Sequence, residues 1–184
     1  MKKKTIINLV LILAVLSLFV TPLGYECKVL LQRVFAGSVE ILPKDKQYAI
    51  DCDWKLKDRN NAEFNFAQSK EHGKAAVVYF WSSWRVVSVA DLYAIEKLYN
   101  DYKDKVDFYI ITNELPAPVD ELMAKRGFNF KVTYLIIGEK MPFNAEEIPS
   151  GFVVDKNGVV RAQKIGTGRW NSDAVRQLLD EISK

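Results

Sequence analysis

The chain has 184 residues, 49% hydrophobic and 27% charged, with no biased tracts among its nine Gly and six Pro, which excludes collagen-like and disordered classes and leaves one domain with room for an appendage. Two well-separated Cys and a single His supply neither a four-ligand zinc site nor the disulfide framework of a small secreted scaffold. The net charge of +3 sits at the start: without Lys2, Lys3 and Lys4 the 26 basic residues fall to 23, equal to the 23 acidic ones, so the remainder is neutral and offers no basic face to nucleic acid.

After the three lysines, residues 6–24 carry no charge and are interrupted only by Asn8, Ser17 and Thr21. A bilayer-spanning helix needs about 20 predominantly apolar residues, so this run is predicted to be a transmembrane anchor. The competing reading is a cleaved signal peptide, but no small-x-small cleavage site occurs around Pro22-Leu23-Gly24-Tyr25-Glu26. Glu26 before Cys27 also departs from a lipoprotein cleavage site. Lysines that precede a span stay cytoplasmic, which places residues 1–24 as cytoplasmic tip and anchor and the bulk of the chain outside. Residues 25–47 read as stalk and linker, within which KVLLQRVFAG either prolongs the anchor or lies on the bilayer surface.

From Tyr48 to Lys184 the pattern becomes that of a single α/β domain. Tyr48–Leu56 and Glu63–Phe66 are predicted strands of an edge hairpin, joined by Asp58-Arg59-Asn60-Asn61. The uninterrupted run AAVVYFW (75–81) suits a central strand buried on both faces. Leu92, Ile95, Leu98, Tyr99 and Tyr102 then recur at helical spacing, VDFYIIT (106–112) is a second buried strand, and VDELMAKRG (119–127) is a helix closed by Gly127. Strand, helix, strand, helix in sequence implies a parallel sheet. TYLII (133–137), GFVVD (151–155) and VVRAQKIG (159–166) are three more strands, the last two joined through Lys156-Asn157-Gly158 as a hairpin. Asn171-Ser172-Asp173 marks the start of a last helix with Val175, Leu178, Leu179 and Ile182 on its apolar face.

Four stretches resemble the thioredoxin-like superfamily and, within it, the membrane-anchored TlpA-like thiol:disulfide oxidoreductases of bacteria: VVYFWSSW (77–84), LYAIEKLYNDYKDKVDFYIITNE (92–114), IPSGFVVDKNGVV (148–160) and IGTGRWNSDAV (165–175). The family writes F-W-A-T-W-C-P-P-C at the first and P-T-T-(apolar)-I-D-K-N/D-G at the third. The resemblance implies a thioredoxin-like fold, with a central mixed sheet flanked by helices and an N-terminal β-hairpin, on an extracytoplasmic domain held by a single pass through the inner membrane. It also implies an active-site motif that this chain has lost. Arg85 stands at the nucleophilic Cys, Val86 and Val87 at the prolines, and Ser88 at the resolving Cys.

Exchange needs a thiolate, activated at a helix N-terminus, to attack a disulfide and a second thiol to resolve the mixed disulfide. Arginine does neither, and a serine hydroxyl without a neighbouring His base is no substitute. The family's buried acid aligns with Tyr79, so a proton-handling group is also expected to be missing. Pro149 matches the family's cis-proline, whose neighbouring backbone pairs with an extended peptide. The peptide-binding candidates are therefore Trp84, Arg85, Ser88, Ile148 and Pro149. Arg85 reads either as a solvated loop arginine or as an anion receptor beside helix amides, and an exposed Trp84-Arg85 pair has the composition of a protein-binding hot spot. Trp81 and Trp170 are assigned to packing and His72 to a solvated turn.

Cys27 and Cys52 form no CxxC; they bridge to each other, pair between molecules through Cys27, or remain plain thiols. No GxGxxG, P-loop or HExxH pattern occurs, and no cofactor or metal is expected. The sequence thus predicts a redox-inactive module that binds an extracytoplasmic protein or an extended peptide. The alternatives are a working oxidoreductase that uses Cys27 or Cys52, and a structural subunit of a membrane complex.

Overall fold

The computed structural model describes residues 3–184; Met1 and Lys2, the start of the predicted cytoplasmic tip, lie outside the described residues. The uncharged N-terminal run is not the one continuous helix expected over 6–24. It forms α1 (Lys3–Val20) and then α2 (Pro22–Phe35). The break falls where proline disfavours helical backbone in the residue before it: Thr21 is extended (φ −95°, ψ 152°), and its hydroxyl caps α2 by accepting the Gly24 N–H at 3.1 Å. Among the described residues no single helix is long and apolar enough to cross a membrane; Lys3–Ser17 and Pro22–Phe35 have the length and composition only as a pair, bent by 74°.

The domain is built on one mixed sheet. Its strands are β1 (Glu40–Ile41), β2 (Tyr48–Ala49), β3 (Lys55–Lys57), β4 (Glu63–Asn65), β5 (Ala75–Phe80), β6 (Val106–Thr112), β7 (Val132–Leu135), β8 (Ser150–Val154) and β9 (Val159–Ile165). The spatial order is β1-β9-β8-β5-β6-β7-β3-β4, with β2 also on β9. Strands β5, β6 and β7 are parallel, and β8 runs antiparallel to β5. The stretch Tyr48–Leu56 is not one strand: β2 pairs with β9 at one edge and β3 with β7 near the other, and residues 50–54 cross a face of the sheet between them. Trp54, fully buried, anchors that crossing.

Helices α4 (Val86–Tyr102), α5 (Pro116–Arg126) and α6 (Asp173–Ile182) pack on the face lined by Ala75, Val77 and Tyr79. The alternate residues Ala76, Val78 and Phe80 point to the other face. The short helix α3 (Ala67–Glu71) leads into β5. The connection from β7 to β8 spans two intervening strands without a helix, and Phe143 plugs that face with its ring centroid 4.7 Å from Phe152 and 5.9 Å from Trp54. Helix α5 closes as expected on Gly127 in the left-handed region. Ser172 occupies the N-cap of α6, but its side chain makes no capping bond.

Two glycines sit where a side chain has no room. Gly158, with φ +81°, turns the β8-β9 hairpin, and a Cβ there would lie 2.9 Å from the Cys52 sulfur. At Gly151 in β8 a Cβ would fall 2.3 Å from the ring of the buried Trp170. Gly151→Ala is therefore expected to cost about 1–3 kcal/mol or more, read as a lowered urea midpoint with an unchanged slope.

The stretch 25–47, read from the sequence as stalk and linker, is folded onto the domain. Val29 of α2 packs on Val89 and Ala90 of α4, and Val39 and Leu42 are buried. Arg126 of α5 donates to Glu26 at 2.7 Å and to the Tyr93 hydroxyl at 3.3 Å, and lies over the Tyr25 ring. Cys27 is thus on the α4 side of the sheet, whereas Cys52 packs among the residues of the opposite face. The two sulfurs are not bridged to each other.

Candidate functional site

The chain leaves β5 at Phe80, passes through Trp81-Ser82-Ser83-Trp84, and enters α4 with Arg85 as N-cap (φ −87°, ψ 116°). Trp81 is buried, and its N–H donates to Ile111, which continues the β5-β6 ladder. Ser83 is fixed from β6: its N–H and hydroxyl donate to the Glu114 carboxylate at 2.6 and 2.7 Å, and the Thr112 hydroxyl donates to the same carboxylate at 3.2 Å. Glu114 also brings negative charge to the N-terminal end of α4, where the helix dipole favours it. In the sequence, a lone acid just after a buried strand carries no signal of this role.

Arg85 is not a freely solvated loop residue. Its Nη1 donates to the Ile148 carbonyl at 2.7 Å, and its guanidinium lies 4.9 Å from the centre of the Trp84 ring. A cation at the positive end of a helix costs about 0.3–1 kcal/mol. A hydrogen bond from a charged donor contributes about 1.5–3 kcal/mol and an exposed cation–π contact about 0.5–1, which more than offsets it. The Ile148–Pro149 peptide bond is cis. Trp84, Arg85, Ile148 and Pro149 are therefore brought together at one end of the sheet, with Trp84 two-thirds exposed.

Ser88 does not join that surface. It is fully buried one turn into α4, and its Oγ accepts the Ser82 N–H at 3.3 Å, so it holds the loop and presents nothing to a peptide.

A buried acid lies on α4, beside Tyr79. Asp91, one turn after Ser88 on the same face of α4, is 2% exposed; it accepts the Tyr79 hydroxyl at 3.1 Å and the Gly168 N–H at 2.8 Å. Burial pushes its carboxyl up to about 7 and outweighs these hydrogen bonds, which act in the opposite direction. The same burial, with Asp91 beside it, raises Tyr79 far above the usual phenol range. The sequence does hold the signal: Ser88, Asp91, Ile95, Leu98 and Tyr102 fall at i, i+3, i+4 spacing, so the acid lies on the buried stripe.

No family model matches the chain. A curated relative, the thioredoxin-like protein YneN of Bacillus subtilis, is 24% identical over 132 residues, covering 70% of this chain and 75% of that protein. Among solved structures, a thiol:disulfide interchange protein from Chlorobium tepidum superposes with a TM-score of 0.56 at 20% identity, covering 74% of this chain and 97% of that one. The exposed lipoprotein thioredoxin of Streptococcus pneumoniae gives 0.55 at 20% identity over 70% of this chain and 98% of that one. A secreted disulfide oxidoreductase from Mycobacterium tuberculosis gives 0.53 at 16% identity over 72% and 96%. The domain therefore has the thioredoxin-like fold, and its structural neighbours include thiol:disulfide oxidoreductases.

Proposed function

We propose that this chain is a member of the membrane-anchored, TlpA-like thiol:disulfide oxidoreductases that does not perform exchange, and that its domain is an extracytoplasmic binding module. The observation that carries the reading is the occupancy of the α4 N-terminus: the N-cap is Arg85 and the buried position one turn on is Ser88, so no sulfur stands where the dipole would activate one. Cys27 and Cys52 lie on opposite sides of the sheet and neither is in α4, which removes support from an oxidoreductase that would use either.

The edge at Ile148–Pro149, with the Trp84-Arg85 pair beside it, is the surface for an extended peptide or partner protein. The apolar run of α1 that follows Lys3 and Lys4 supplies the hold on a bacterial cytoplasmic membrane, with the lysines inside and the domain outside. The named relatives that are secreted or surface-exposed are consistent with that side of the membrane.

Full-length protein in detergent is expected to reduce insulin no faster than dithiothreitol alone. Clear turnover that disappears in Cys52→Ser or Cys27→Ser defeats the proposal. In crosslinked pull-downs from native membranes, Trp84→Ala and Arg85→Ala are each expected to lower partner recovery by about tenfold, the effect of losing a hot-spot side chain of at least 1–2 kcal/mol. Unchanged recovery with both variants moves the interface elsewhere.

A further inference from the structure

Helix α2 has two apolar faces and the domain covers only one. Toward the domain it presents Val29 and Tyr25, locked by Arg126 and by Arg33, whose guanidinium lies 4.6 Å from the centre of the Tyr93 ring. On the outer side Leu23, Leu30, Leu31, Val34 and Phe35 are between 54% and 78% exposed. Leu23, Leu30, Leu31 and Val34 follow i, i+7, i+8, i+11, a single stripe along the helix. Five large apolar side chains along about 21 Å of helix are more than a soluble domain leaves to water without a reason.

Two observations identify the cover. The stripe continues directly from α1, whose large apolar side chains from Ile6 to Leu16 are themselves about half exposed. The two helices meet at 74°, so with α1 along a bilayer normal α2 lies about 16° from the bilayer plane. An apolar helix face set nearly parallel to the bilayer and continuous with an apolar helix has the arrangement of a helix lying in the headgroup region.

We infer that α2 is an in-plane membrane helix: its outer stripe sits in the outer leaflet of the bilayer, and its inner face clamps the domain flat against that surface. This rests on the reading of α1 as the anchor. The clamp sets the height and orientation of the domain, because α2 is joined to α4 and α5 by packing, an ion pair and two cation–π contacts and not by a flexible tether. A partner would thus meet the Trp84-Arg85 edge at a fixed distance from the lipid.

The test uses the full chain with Cys27→Ser and Cys52→Ser, reconstituted into phosphatidylcholine/phosphatidylglycerol vesicles that contain a nitroxide-labelled lipid. An environment-sensitive fluorophore is placed through Leu30→Cys, Val34→Cys or, as control, Ile137→Cys, a fully exposed position on the β7-β8 connection. All three positions are exposed, so labelling leaves the core untouched. Emission from positions 30 and 34 is expected to be quenched at least about threefold more than from position 137. If the chain resists alkaline carbonate extraction and yet all three labels are quenched alike, the in-plane placement is wrong and the anchor stands. If carbonate releases the chain, the anchor reading fails and this inference fails with it. Labels shielded from water but not quenched by lipid, with Leu30→Cys crosslinking between two copies, would assign the stripe to a dimer and overturn the inference.

Discussion

Arg85→Cys with Ser88→Cys is expected to raise the insulin-reducing turnover of the chain at least about tenfold above that of Arg85→Cys alone. Position 85 is the N-cap of α4, where a thiol meets unpaired amides and the positive end of the dipole, and position 88 is one turn on and buried beneath it. Lowering a thiol pKa from about 8.5 to about 7 raises the thiolate fraction at pH 7 from roughly 3% to about half. The accompanying loss of nucleophilicity, with a Brønsted slope of about 0.4–0.5, takes back roughly fivefold, so activation alone yields only about threefold. The larger part of the gain comes from a resolving thiol held in the same turn. A revertant that folds, by circular dichroism, but shows no turnover would mean that positions 85 and 88 are not the equivalents of the family's cysteines.

Stability is expected to fall as pH rises from about 4 to about 7, and to do so because of Asp91. Its carboxyl is raised from 3.8 to about 7 in the fold, chiefly by burial. Below about 4 it is protonated in both states and contributes no pH dependence; between 4 and 7 the unfolded chain has released the proton and the folded one retains it, so the folded state binds more protons and loses stability with increasing pH. Three pH units correspond to about 4 kcal/mol, largely expended by pH 8. Asp91→Asn retains the shape and an acceptor for the Tyr79 hydroxyl and the Gly168 N–H, so it should flatten the profile and raise the urea midpoint at pH 8 relative to pH 5. A parent chain whose midpoint is constant across this range would contradict the buried-acid account. In the double-cysteine background the same Asp91→Asn should slow turnover, because the acid lies one turn below position 88.

The elements legible in the sequence are those with a long repeating pattern. The uninterrupted apolar run of β5 and the 3.6-residue stripe of α4 are each set by burial across several residues, and the Asn157-Gly158 turn is set by a backbone conformation that few residues adopt. What was hidden depends on single contacts. Strands β1 and β2 are two residues each and carry no alternation, and the docking of α2 rests on Val29, Tyr25 and Arg126, which no local pattern connects. The candidate edge divides in the same way. Trp84, Arg85 and Pro149 stand out because they depart from or match a motif, whereas Glu114 and Asp91 act through partners distant in sequence, and the motif position of Ser88 carries no sign that it faces inward.

The helix-free connection between β7 and β8 gives the two sides of the edge unequal mechanical support. Trp84 and Arg85 lead into the 17-residue α4, and Glu114, just after β6, holds the adjacent Ser83. Ile148 and Pro149 end a long stretch of irregular backbone whose main buried foothold is Phe143, five residues upstream. Deformation at this end of the molecule is therefore borne by one side, and the Arg85 hydrogen bond to Ile148 acts as a strut from the stiff side to the compliant one. Arg85, the N-cap of α4, thereby serves the scaffold as a brace.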